Sequence, residues 1–198
     1  MAQLPSVLLI CCGSLAREIT ELVRAHSWEH MRITCLPAHI HTTPDKIPEA
    51  VRAKIHAARG TVDNILVLFS DCGTGGKLNE VLVEEGIEGI GGAHCYEIFA
   101  GKENFAALMD DEPGSFFLTD FLTRHFDRLI MAGLGLDRFP KLRNTYFGHY
   151  NKLVYLAQGE DLELQEKAKA AAQTLGLNYE MRHTGYGDYR DFLATHGG

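Results

Sequence analysis

The chain has 198 residues, 45% of them hydrophobic and 23% charged, with a formal net charge of −7 at pH 7. That length supports one sizeable core and scarcely two, and the composition is that of a soluble globular protein. The acidic balance, with no basic run anywhere, speaks against a nucleic-acid partner, which needs a concentrated basic footprint.

In chain order, Met1–Pro5 lacks the positive region and cleavage site of a secretory leader, so the expected location is the cytoplasm. The apolar run Val7–Cys11 predicts a first strand and is far too short to span a membrane. Leu15–Ala25 follows as a helix with Leu15, Ile19, Leu22 and Val23 on one face, then Ile33–Leu36 as a short strand. A polar loop around His39–Thr43 leads into a helix over Pro44–Arg59, with Ile47, Val51 and Ile55 in register. Ile65–Phe69 is the clearest strand, a continuous apolar run of the kind buried on both faces of a parallel sheet.

Lys77–Glu85 predicts a helix, Gly86–Gly91 a weak strand, Tyr96–Met109 a helix and Phe116–Leu118 a strand. Phe121–Met131 has a helical pattern, Leu153–Ala157 a strand, Leu162–Leu175 an alanine-rich helix and Leu177–Arg182 a last strand. No linker or internal repeat divides the series. Strand and helix alternate throughout, which predicts a single α/β domain over 1–198. Its fold is a doubly wound, mostly parallel sheet with helices on both faces, Rossmann-like. In such sheets ligands bind outside the carboxyl ends of the strands.

That rule makes three cysteines informative. Cys12 follows the first strand, Cys72 the third, in Asp71-Cys72-Gly73-Thr74-Gly75-Gly76, and Cys95 the weak fourth, in His94-Cys95-Tyr96-Glu97. All three fall on strand-to-helix turns beside glycines, Gly13 among them, which let the backbone approach a bound group. Three thiolates leave one position open on a zinc ion or on one iron of a four-iron cluster. The bland alternative is that five cysteines in a reducing compartment are buried small hydrophobes, and Cys11 and Cys35, inside strands, are read that way.

Glu18, His94 and Glu97 lie near enough in sequence to assist as proton acceptors or temporary ligands, or else are satisfied polar groups at helix starts. Gly73-Thr74-Gly75-Gly76 has a second reading as an anion cradle made of backbone N–H groups, although it lacks the lysine of a phosphate loop. His39 and His41 have the spacing of a ligand pair, but a polar loop carries such histidines without metal. His149 and Tyr186 are left out of the site for a similar reason: their aromatic and glycine surroundings suit a core.

Cys12-Gly13-x-Leu15-x-x-Glu18, Asp71-Cys72-Gly73-Thr74-Gly75-Gly76 and His94-Cys95-Tyr96-Glu97 resemble the Domain of Unknown Function 1638 family. So do Phe117-Leu118-Thr119-Asp120-Phe121 and Gly185-Tyr186-Gly187, and the likeness extends over nearly the whole chain. The resemblance implies a setting near corrinoid-dependent methyl transfer, hence one-carbon metabolism, with a corrinoid protein as candidate partner. The expectation is a protein whose centre, a site-differentiated [4Fe-4S] cluster ahead of zinc, is held by Cys12, Cys72 and Cys95. It would act on a small molecule as a metal-dependent transferase or lyase, or serve as an accessory. The alternative is a non-catalytic module that docks on a corrinoid carrier or delivers metal to it.

Overall fold

The computed structural model describes residues 4–197, so Met1–Pro5, read above for a leader, lies partly outside it. The backbone gathers into two compact units, one of residues 1–98 with 186–198, the other of residues 99–185. The strands are parallel as the alternation predicts, but they form two sheets where a single sheet was expected. No helix among the described residues is long and apolar enough to cross a membrane.

In the first unit β1 (Val7–Cys12), β2 (Met31–Leu36), β3 (Asn64–Leu68) and the two-residue β4 (Glu88–Gly89) lie in the order β2-β1-β3-β4. Between them run α1 (Ala16–Ala25), α2 (Ile47–Ala58) and α3 (Lys77–Glu85), followed by α4 (Cys95–Ala100). The order is that of doubly wound Rossmann-like sheets, in which winding reverses direction between β1 and β3. Leu9, Ile10, Val67 and Leu68 are buried in the strands, as are Ile19, Leu22, Val51 and Ile55 on the inward faces of α1 and α2. Strands hidden on both faces need continuous apolar runs, which is what β1 and β3 have.

The second unit holds β5 (Ser115–Thr119), β6 (Lys152–Ala157) and β7 (Asn178–His183), all parallel and in that order. Its helices are α5 (Lys102–Asp111), α6 (Asp120–Arg124), α7 (Leu142–Phe147) and α8 (Leu162–Leu175). Leu118, Leu153, Tyr155, Ala168 and Leu175 form the centre of its core. The helix expected over Tyr96–Met109 is interrupted at Gly101, whose φ of 79° ends α4 and starts α5. The Phe121–Met131 helix likewise ends at Arg124, and a π-helical turn covers Asp127–Ala132. The chain closes with α9 (Asp188–Ala194), which belongs to the first unit.

A charge cluster ties α2 to the end of α3. Glu85 accepts from Arg59 at 2.7 Å, His56 at 2.9 Å and Arg52 at 2.7 Å, and Arg52 also reaches Glu84 at 2.6 Å. Arg59, then His56 and Arg52, bring the Glu85 carboxyl down to about 2, from an ordinary value of 4.5. A group whose folded pKa is depressed stabilises fully above its unfolded value and loses that contribution as pH falls through its folded value. Acid unfolding of the wild type should therefore steepen between about 4.5 and 2, and Glu85→Gln should remove that steepening. A circular-dichroism titration of both proteins checks it; superimposable acid limbs would show the cluster to be inert.

Candidate functional site

The carboxyl ends of β1 and β3 flank the point where the winding reverses, the expected place for a ligand crevice. Cys12 is the last residue of β1 and caps a short 3-10 turn, Gly13–Leu15. Its sulfur accepts from the Ser14 N–H at 3.4 Å and from the Ser14 hydroxyl at 3.0 Å. A third contact comes from His41 Nδ1, 3.7 Å away.

His41 lies on a 3-10 segment, Ala38–Thr42, that follows β2. Its Nδ1–H donates to the Ala38 carbonyl at 2.9 Å, and the ring lies nearly parallel to Phe69, centroids 6.3 Å apart. Cys72 is a second thiol whose charge favours the protonated ring. Cys12 and then Cys72 outweigh burial and push the imidazole up to about 11, so it is an imidazolium at neutral pH. Burial alone would raise the Cys12 thiol, but His41 and Ser14 together bring it below its ordinary value. The pair is thus an imidazolium beside a thiol whose ionisation several donors favour.

Gly13 makes this approach feasible. A Cβ there would meet the Leu36 carbonyl at 3.0 Å and the Ala38 N–H at 3.1 Å, both backbone atoms of the segment that brings His41 in. Sequence reasoning gave Gly13 to a bound group; in the structure it gives close backbone packing. Gly13→Ala should force the two turns apart, with a loss of about 1–3 kcal/mol as in other overpacked sites. A urea-unfolding midpoint indistinguishable from wild type would contradict that packing role.

Cys72 sits at a φ of 49°, a left-handed conformation that a side-chain-bearing residue seldom adopts. Two features hold it there. The Asp71 carboxylate accepts from the Thr74 hydroxyl, from Gly76 N–H at 2.7 Å and from Gly75 N–H at 3.1 Å. On the other side, Asp71 N–H donates to the Gly92 carbonyl at 2.8 Å and Cys72 N–H to the Ala93 carbonyl at 2.9 Å. The loop after β3 is thereby joined to the loop that precedes Cys95. The anion cradle expected of Gly73, Thr74, Gly75 and Gly76 is accordingly filled from within: Asp71 is its anion. Burial opposes the charge on Asp71, but the donors of Thr74, Gly76, Gly75 and Gly73 prevail and lower its pKa.

Cys95 begins α4, and its thiol is pushed up by burial and then by the charges of Cys72 and Cys12. It is a neutral thiol at rest, within electrostatic reach of the other two. Tyr189, on α9 and fully buried, has its hydroxyl pushed up by burial and then by the charges of Cys95, Cys72 and Cys12. Among the described residues no three or more His, Cys, Asp or Glu side chains stand in an arrangement that could hold a metal ion.

The remaining candidates are placed less centrally. Glu97 accepts from the Ala93 N–H at 2.7 Å, so it secures the loop that presents Cys95. His94 is exposed, its ring 6.5 Å from that of Tyr96. Glu18 is buried in the first turn of α1, where its charge bears on Tyr186. The Tyr186 hydroxyl donates to Glu21 at 2.8 Å. Sequence reasoning set His41 aside and missed Tyr189; the ligand-pair spacing of His39 and His41 hinted at the former, and nothing marked the latter.

Residues 35–193 match the family described as Protein of unknown function (DUF1638). The chain belongs to the DUF1638 family. The match takes in His41, Cys72, Cys95 and Tyr189, while Cys12 and its Ser14 donors precede it. No curated protein matches this DUF1638 chain.

Proposed function

We propose that this chain carries a soft metal centre on Cys12, Cys72 and Cys95 and serves one-carbon, methyl-transfer metabolism as an enzyme or its accessory. The observation that carries the reading is His41: one imidazole ring 3.7 Å from the Cys12 sulfur and held protonated by Cys12 and Cys72, which come from the ends of different strands. The donor set fits, since thiolates and imidazole are the ligands that iron–sulfur centres and zinc prefer. The Ala38 carbonyl, by holding Nδ1–H, fixes the ring as the outer-shell partner of a histidine ligand does, and Nε2 becomes available once the imidazolium gives up its second proton.

Bound there, the centre would supply a Lewis-acidic open position or an activated thiolate for a small-molecule substrate. The protein's own groups do the rest. Cys12 ionises more readily than an ordinary cysteine, whereas Cys95 holds its proton more tightly and has to give it up on loading. His41 keeps the proton at Nδ1 against Ala38, and Tyr189 stays fully buried on α9. Three cysteines on separate loops, without a fourth, suit a four-iron cluster with one open iron slightly better than zinc.

The Cys12–His41 pair also supports a second reading, in which the Cys12 thiolate is itself the nucleophile and no metal takes part. Anaerobic purification with iron, zinc and sulfide analysis separates them. Iron with matching sulfide supports the cluster and zinc alone the mononuclear site. Neither metal, together with alkylation confined to Cys12, favours the nucleophile. Turnover with purified substrates against stable docking to a corrinoid protein then distinguishes enzyme from metal-delivery module.

A further inference from the structure

Cys11 and Cys35 lie outside the site just described, and as single residues each reads as core. The register pairs them: Cys11 of β1 stands directly beside Cys35 of β2, which puts both side chains on one face of the sheet. Their sulfurs are 3.3 Å apart, and both cysteines are free thiols. Cys11 is completely buried, while Cys35 is only half-buried and so offers the reactive entry. Lys54 reaches over from α2, its ammonium 3.1 Å from the Thr34 hydroxyl, and puts a cation near Cys35.

We propose that Cys11 and Cys35 form a redox site, a cross-strand dithiol that a hydroperoxide converts reversibly to a disulfide. Cys35 first releases its proton to solvent and, as the thiolate, attacks the peroxide oxygen: an S–O bond forms, the O–O bond breaks, and the departing oxygen takes a proton back from solvent and leaves as water or alcohol. The Cys11 sulfur then attacks the Cys35 sulfenic acid. The S–S bond forms, the S–O bond breaks, and a water leaves with the Cys11 proton. Two electrons pass from the dithiol to the peroxide, and a thiol reductant reverses the change. The sulfurs need to close only from 3.3 Å to about 2.05 Å.

The location gives the bond a consequence. Cys11 immediately precedes Cys12, and Cys35 lies six residues before His41. Oxidation would join β1 to β2 directly before both deliver their groups to the site.

The test is peptide mass spectrometry of the full chain after limiting hydrogen peroxide and alkylation of the remaining thiols. The expected result is a linked pair of peptides with fragment ions assigning the bond to Cys11 and Cys35, abolished by dithiothreitol. It should survive in Cys12→Ser and be absent in Cys35→Ser. Cys35 recovered as sulfinic acid or as the alkylated thiol, with no link, would overturn the proposal. So would a bond that maps to Cys12, Cys72 or Cys95 in the wild type.

Discussion

Cys72→Ser should strip the protein of most of its iron or zinc, while Cys35→Ser should leave the metal content unchanged. The contrast follows from position. Cys72 is fixed in a left-handed conformation by the Asp71 turn and by Ala93, and it helps to hold His41 protonated. Cys35 lies inside β2, paired with Cys11 on the strand face opposite to that of Cys12. Loss of an outer-shell partner alone weakens metal binding roughly 10–100-fold, and loss of a sulfur ligand should do at least as much. Metal analysis of the anaerobically purified variants decides it; full occupancy in Cys72→Ser would remove Cys72 from the ligand set.

Asp120→Ala should destabilise the second unit by about 3 kcal/mol, the scale for a buried charged acceptor removed from its donors. Asp120 is buried between β5 and α6 and accepts from the Tyr155 hydroxyl at 2.7 Å and from Gln158 N–H at 3.1 Å. Arg124, 3.4 Å away, supplies the opposite charge. Gln158 returns the contact, its side-chain oxygen accepting from Asp120 N–H at 2.7 Å. Without the carboxylate, a fully buried tyrosine hydroxyl and a buried N–H have no acceptor. Tyr155→Phe removes donor and demand together and should cost only about 1 kcal/mol. Amide hydrogen exchange should show protection of β5 and β6 falling about a hundredfold in Asp120→Ala. Unchanged protection would mean that the network contributes nothing.

How far the sequence revealed this arrangement depended on how local the signal was. Ile65–Phe69 and Val7–Cys11 were legible because strands buried on both faces need unbroken apolar runs, and the cysteines after them inherit their place from the sheet. The glycines of 73–76 were legible as a loop with positive φ, yet the anion was misassigned. An aspartate followed by a threonine three residues on is itself a capping signature, and Asp71-x-x-Thr74 carried it. His41 was illegible for a different reason: its ring reaches Cys12 only because β1 and β2 pair in a particular register and Gly13 lets their turns touch. The division into two sheets had no local mark either, since strand and helix alternate across it without a linker. Cys11 and Cys35 each look like core until the register puts them side by side.

X-ray absorption at the metal edge of the anaerobically loaded protein tests the central claim most directly. If Cys12, Cys72 and Cys95 share one centre, the first shell is dominated by sulfur, and serine at any one of the three positions diminishes it. A first shell of oxygen and nitrogen, or a sulfur shell indifferent to all three substitutions, would contradict the assignment.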